Sequence, residues 1–232
     1  YPSQQLKLVE YNRRVSDLAG LTDVEFVQRV SERLQVERIR TSDPEDVRKS
    51  VLAAFEAGAA GVALGVSGSV AVDRRMQTSD PDIYAAGDCA DAYHVVTGRK
   101  TWIPLALLAN RAGWAAADNV CGQAVELLGV AGTAVFRVFD MEVARTGLTP
   151  QEAEKEGFEP VEKMIKTSSR AHAHPGSSPI YVSLVGDKKT GRLLGAQMVG
   201  REGVAHRINA PAVALHARMT VEDFSQTDLS YA

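Results

Sequence analysis

The 232-residue sequence has few cysteines, no long apolar run, no basic cluster and no dinucleotide-type glycine turn. Its two cysteines, Cys89 and Cys121, form neither a CxxC nor a CxxxxC pair. That excludes a zinc knuckle or a local redox disulfide written in the sequence, and both read as reduced, mostly buried thiols. No apolar stretch approaches the roughly 20 residues that span a bilayer, and no signal-peptide pattern opens the chain. A cytoplasmic protein with no membrane partner is therefore expected. The net charge of −3, with basic residues scattered along the chain, offers no surface for nucleic acid or anionic lipid. Gly58-Ala59-Ala60-Gly61 and Gly65-Val66-Ser67-Gly68 have neither the spacing of GxGxxG nor a strand before them. There are no internal repeats and no low-complexity linker. The chain opens at Tyr1 without a methionine and closes on Ser230-Tyr231-Ala232 without a helix-ending signal, which reads as a fragment or a processed piece.

What is present divides into three stretches. Residues 1–60 read as a helical segment. Thr22 is an N-cap before Asp23 and Glu25, with Val24, Val27, Val30 and Leu34 near a 3.6 period. Ser42-Asp43-Pro44-Glu45 opens a second helix carrying Val47, Val51, Leu52 and Phe55 on one face. In residues 61–122, Val70-Ala71-Val72 and Ile83-Tyr84-Ala85-Ala86 are expected as short strands. A long apolar helix follows Pro104 and runs to Cys121-Gly122; its many alanines imply close packing against a sheet or a flat ligand.

Residues 123–232 change to the period of strands. Thr133–Phe139 and Glu142–Thr146 form a hairpin around Asp140-Met141, and Thr149-Pro150 starts a short helix that stops at Gly157. Strands are expected over Val161–Thr167, Pro179–Val185 and Leu193–Val199, the last two joined by the loop Asp187–Gly191. A last helix runs from Gly203 to Met219. Five strands interleaved with helices make an α+β domain.

The chemistry concentrates in Thr78-Ser79-Asp80-Pro81-Asp82-Ile83-Tyr84-Ala85-Ala86-Gly87-Asp88. It is a turn, a buried strand, then a glycine and a carboxylate at the strand's carboxyl end, where α/β sheets bind ligands. The glycine admits close approach of a ligand, and the aspartate can accept a hydrogen bond from a sugar-alcohol hydroxyl. A strand ending in Gly-Asp also serves as a plain structural cap, and the segment alone does not decide between the two.

The segment resembles the second flavin-binding motif of the FAD-dependent pyridine nucleotide–disulfide oxidoreductases. Further blocks resemble their coenzyme A-disulfide reductase and NADH oxidase branch: Met76–Pro81, Ile103-Pro104-Leu105 with Ala109-Asn110, Gly132-Thr133-Ala134, Val143–Leu148, Gly200–Val204 with Arg207-Ile208, and Met219–Asp223. The resemblance covers about residues 60–232. It implies that residues 61–122 are the last piece of an FAD-binding domain of α/β type, and that residues 123–232 are a five-stranded antiparallel dimerisation domain with helices. It implies a homodimer, FAD as cofactor and NAD(P)H as co-substrate. The acceptor would be a coenzyme A-type disulfide, polysulfide or oxygen, reduced through a redox cysteine absent from this chain.

Site residues follow from the same resemblance. Asp88 would bind the ribityl chain, with Thr78, Ile83, Ala86 and Gly87 along the flavin. Pro104, Leu105 and Ala106 would present the helix start to its ring. Asn110 would contact coenzyme A. Tyr231 would reach the partner's flavin and thiol, as a catalytic and cofactor-contacting residue; without the family it reads as an ordinary tyrosine near a chain end. No metal site is expected. His172 and His174 read as a solvated loop, since no third ligand lies nearby. Ala171-His172-Ala173-His174 also departs from the family, which carries a tyrosine pair before the proline that follows. Cys89 is not at the position of the family's redox thiol. Residues 1–58 resemble instead a bacterial family of unknown function, through Leu8–Val15 and Asp17–Thr22, and Ala57–Gly61 reads as a join. A catalytically inactive homodimerisation module is the competing reading.

Overall fold

This computed structural model describes residues 61–171 and 174–230. The helices expected over residues 1–60, together with His172 and Tyr231, lie outside the described residues. The element order is β1 (Ala92–Tyr93), β2 (Lys100–Thr101), α1 (Ala106–Val120), β3 (Ala134–Val138), β4 (Met141–Gly147), α2 (Pro150–Lys155), β5 (Pro160–Ser168), β6 (Pro179–Asp187) and β7 (Leu193–Gly200). Three short helices follow: α3 (Val204–Arg207), α4 (Asn209–His216) and α5 (Val221–Ser225).

The carboxyl-terminal part is a five-stranded antiparallel sheet in the order β3-β4-β7-β6-β5. β7 is central, and every residue in it is buried. Its even-numbered residues Ala196 and Met198 share a core with Ala144, Ile180, Val182, Val204 and Ile208. Leu194 joins Ala214 and Leu215 of α4 in the neighbouring cluster. Fully burying each of these larger side chains contributes about 1.5–3 kcal/mol. The outer strands differ. β5 exposes Glu162, Lys163 and Lys166, charges that blunt an edge against stray pairing. Val135, Phe139, Val161 and Ile165, on or beside β3 and β5, are 40–63% exposed.

Local chemistry explains most of the element ends. Thr149 closes a capping box with Glu152 at the start of α2. The β3–β4 turn falls on Phe139-Asp140, one residue earlier than expected, and Met141 is already paired with Val138. The helix expected over Gly203–Met219 is broken at Ile208 into α3 and α4, because Pro211 has no N–H to offer the Arg207 carbonyl. α5 was not expected; Thr220 and Asp223 form a second capping box there. Gly147 has φ +66, and a Cβ on it would lie 2.3 Å from the Leu194 carbonyl oxygen. Glycine alone lets β4 end against β7 in this way.

The amino-terminal part corrects two expectations. Val70–Val72 is not a strand: Val70 makes single bridges to Leu64 and Ala90. Ile83–Ala86 likewise reduces to one bridge, Tyr84 with Gln77. Their main-chain groups pair with several different segments (Val70 with Cys89 and Asp91, Ala71 with Ala63, Ile83 with Thr78, Ala85 with Met76) instead of with one continuous ladder. α1 is a 15-residue helix, as expected, ending at Gly122 with φ +86. Its Ala112 and Ala115 pack on Val62, Val70, Val72, Met76 and Ala90. Among the described residues, no helix is long and apolar enough to cross a membrane.

Candidate functional site

The Gly87-Asp88 turn and the start of α1 meet. Gly87 has φ +94, and a Cβ built on it would lie 4.0 Å from the Cβ of Ala109 in the first turn of α1. The indole N–H of Trp102 donates to the main-chain oxygen of Asp88 at 2.7 Å. Pro104, Leu105 and Ala106, expected at the same site, follow directly along the chain. The turn itself is closed by Ala90 N–H donating to the Gly87 oxygen at 3.2 Å.

Asp88 is exposed, and its carboxylate takes no hydrogen bond from the described residues. It is thus available to accept from a ligand hydroxyl. The amino end of α1 is open as well: Leu105 makes no side-chain cap, and no acidic residue lies in the first turn. Uncapped N–H groups at a helix start, with the positive end of the dipole behind them, favour an anionic group placed there. Ala106 is exposed, and Leu107 and Trp114 are 72% and 68% exposed on the outer side of the helix. Asn110 is exposed one residue beyond Ala109.

The remaining predicted residues are placed as follows. The Thr78 hydroxyl accepts the Asp80 N–H and donates to the Asp80 oxygen, both at 3.1 Å, so it shapes its own turn. The turn is pinned again by Thr78 N–H donating to the Ile83 oxygen at 2.9 Å. Ile83 is 38% exposed. The Ala86 oxygen accepts the Cys89 thiol at 3.4 Å. Burial pushes the Cys89 thiol above its ordinary range, and the nearby Asp88 charge adds to this, so it is held protonated at neutral pH. Tyr231 lies outside the described residues. His174 is exposed, and among the described residues no three metal-ligating side chains cluster.

Three residues that sequence reasoning passed over support the turn from behind. Trp102 is one. The others are Asp91 and Lys100, an ion pair at 2.7 Å whose carboxylate side chain is 1% exposed. The available signal was Asp91 itself, a lone carboxylate in an otherwise apolar Cys-Ala-Asp-Ala run.

The two halves of the described structure are tied by Arg192. It donates to the Val96 and Val95 oxygens at 3.0 and 3.1 Å. Nearby, Arg145 pairs with Glu152 at 2.6 Å. Burial would raise Glu152, but the Arg145 charge and hydrogen bonds from Arg145 and Thr149 bring it below its usual range. His94 sits against this group. Its Nδ1 accepts the Val96 N–H at 3.2 Å, and burial lowers its pKa to about 4.

The glycine approach, the Asp88 carboxylate with no hydrogen-bond partner among the described residues and the open helix start could hold the ribityl and ring end of a flavin. A phosphate cradle of the GxGxxG kind is absent from the sequence.

Two stretches of the chain match a known family. Residues 133–231 match the dimerisation domain of the pyridine nucleotide-disulphide oxidoreductases, and residues 46–113 match the pyridine nucleotide-disulphide oxidoreductase domain. The NAD(P)H sulfur oxidoreductase (CoA-dependent) of Pyrococcus abyssi is 44% identical over 172 residues, 74% of this chain and 38% of the relative. The coenzyme A disulfide reductase of Staphylococcus aureus is 30% identical over 174 residues, 74% of this chain and 39% of the relative. The NAD-dependent persulfide reductase from A. fulgidus superposes with a TM-score of 0.74 at 37% identity, covering 76% of this chain and 33% of its own. The chain thus spans less than two-fifths of the length of these relatives.

Proposed function

Since this chain belongs to the pyridine nucleotide-disulphide oxidoreductase family, we propose that it supplies the flavin-facing wall and the homodimerisation domain of a flavoprotein. That flavoprotein would reduce a coenzyme A-type disulfide, a polysulfide or oxygen with NAD(P)H. The observation that carries this reading is the meeting of Gly87 with the first turn of α1 beside an Asp88 carboxylate with no partner among the described residues.

Bound there, FAD would supply the redox chemistry, linking hydride donation by NAD(P)H to two-electron reduction of an oxidised, disulfide-linked cysteine outside this chain. The protein's own part is binding and orientation. Asp88 accepts a hydrogen bond from a ribityl hydroxyl, a charge-assisted bond worth about 1.5–3 kcal/mol. Gly87 lets the main chain lie close along the flavin, with Ile83, Ala86 and the Thr78 turn continuing the wall. The start of α1, entered through Pro104 and Leu105 and beginning at Ala106, turns N–H groups and the positive dipole end toward the ring, which favours its reduced, anionic form. Asn110 extends the same helix face toward coenzyme A. The family resemblance alone assigns Tyr231 a contact with the partner subunit's flavin. In this reading residues 61–122 are the flavin-domain piece, whose family match begins at residue 46, residues 123–232 are the dimerisation domain, and the stretch before residue 46 is a separate segment.

The test is a titration of the purified chain with FAD, followed by flavin fluorescence, beside Asp88→Ala. Binding that weakens at least tenfold in Asp88→Ala supports the wall; equal affinity in the two proteins sinks the Asp88 assignment. A second reading, a homodimerisation module without catalysis, is favoured by the exposed Val135, Phe139, Val161 and Ile165. Sedimentation that shows a dimer binding no FAD selects it, and a monomer at micromolar concentration removes it.

A further inference from the structure

Val72 sits one step beyond the last main-chain rung between two parallel segments. The Val70 N–H donates to the Cys89 oxygen at 2.7 Å, and the Val70 oxygen accepts the Asp91 N–H at 3.0 Å. That is one complete rung of a parallel pairing, with Ala90 as partner. The next rung would join Val72 to the main chain of Asp91 and Tyr93. Two side chains complete it instead. Asp91 Oδ1 accepts the Val72 N–H at 3.1 Å, and the Lys100 ammonium donates to the Val72 oxygen and to Asp91 Oδ1. Both polar groups of a buried peptide position are thereby satisfied by an ion pair standing in for a strand.

The surroundings are shaped for that pair. A Cβ on Gly65 would lie 2.2 Å from Asp91 Oδ2, so the carboxylate fills room that only glycine leaves. The Tyr93 ring lies 4.3 Å from the Lys100 ammonium and 4.4 Å from the Arg74 guanidinium. The contact with the Tyr93 ring gives the Lys100 ammonium a second favourable partner beside the carboxylate. A buried ion pair is a poor device for stability alone, since apolar groups of equal volume often serve as well or better. Here it fixes the main chain at one place. Cys89 and Asp91, which carry the rung, lie one and three residues after Asp88.

We propose that the Asp91–Lys100 pair is a clasp that positions the Gly87-Asp88 turn for the flavin; this rests on the flavin-wall reading above. Neither residue touches the ligand. Asp91 and Lys100 act through the main chain of Val72 and Ala90, so that the Asp88 carboxylate is presented in one orientation.

The test uses the whole chain with Asp91→Asn, Lys100→Met and the conservative Lys100→Arg. Amide hydrogen exchange is read without flavin. The Val72, Ala90 and Asp91 amides are expected to exchange about tenfold faster in the first two variants, a factor that one charge-assisted bond supplies. Amides of β6 and β7 should not change, and Lys100→Arg should recover most of the protection. FAD affinity should fall by about the same factor with the Asp88 carboxylate intact. Unchanged exchange at the three amides overturns the clasp. Faster exchange with undiminished FAD affinity overturns its positioning role, while the flavin wall stands if Asp88→Ala still weakens binding. No FAD binding by the unaltered chain sinks the flavin reading itself, and the exchange pattern tells that failure apart. Should Asp91→Asn not fold, Lys100→Met carries both measurements.

Discussion

The indole nitrogen of Trp102 lies 2.7 Å from the main-chain oxygen of Asp88, and this bond ties the segment that leads into α1 to the turn that presents the carboxylate. Asp88 is thus held by its backbone while its side chain stays open.

Removing that donor should be felt mainly at the turn. Trp102→Phe keeps most of the ring and deletes the N–H, and a typical net hydrogen bond is worth about 0.5–1.5 kcal/mol. A fall in stability of that size by urea denaturation is expected, with weaker FAD binding. Full FAD affinity in Trp102→Phe would show that the Asp88 turn does not need this tether.

Arg192 is a bridge between the halves. It donates to the carbonyls of Val95 and Val96 from the position just before β7. Arg192→Leu leaves two carbonyls without donors, and the expected loss is about 1–3 kcal/mol. Limited proteolysis between residues 93 and 100 should speed up as well. Unaltered urea midpoint and cleavage rate would show the bridge to be incidental.

His94 gives the stability a pH dependence with a definite sign. Its pKa is lowered by burial from 6.5 to about 4, with Arg145, Arg192 and His216 also lowering it and Glu152 opposing. Between those values the unfolded chain binds a proton that the folded chain does not, so stability falls as the pH drops from 6.5 toward 4. His216, also lowered by burial and by Arg111, acts in the same direction. By pH 5 the loss from His94 should be about 2 kcal/mol. The urea midpoint of the native chain should drop between pH 7 and pH 5, and His94→Asn should flatten that drop. An equal slope in the variant would assign the acid sensitivity elsewhere.

Thr149 tests the carboxyl-terminal domain separately. Its hydroxyl accepts the Glu152 N–H at 3.2 Å, and Glu152 returns the bond to the Thr149 N–H at 2.8 Å. Thr149→Ala should cost about 1 kcal/mol, with a range of 0.5–2, and leave FAD affinity unchanged. A change in flavin binding would mean that α2 reaches the site through Arg145 and His94.

The sequence by itself determined the elements whose causes are local. Thr149-Pro150 starts α2 because a hydroxyl, a proline and a glutamate three residues on satisfy the first N–H groups there. Strand-like runs of apolar and β-branched residues bounded by turn residues marked β3 to β7, and Gly87-Asp88 stood out because a glycine and a carboxylate after an apolar run are readable as letters. Family membership was legible for the same reason, since it is a pattern of residue types in order. Tertiary structure alone decided the rest. Val70–Val72 reads as a strand, yet its continuation is made by Asp91 and Lys100, whose meeting with Val72 depends on a fold that brings residues 72, 91 and 100 together. The break at Ile208 depends on which carbonyl Pro211 leaves unserved. Trp102 reaches Asp88, and Gly87 approaches Ala109, only because α1 packs back on the segment that precedes it. Contacts between residues far apart in sequence leave no periodicity to read, since the energy that selects them comes from burial and hydrogen bonding in the assembled core and not from either residue's local preference.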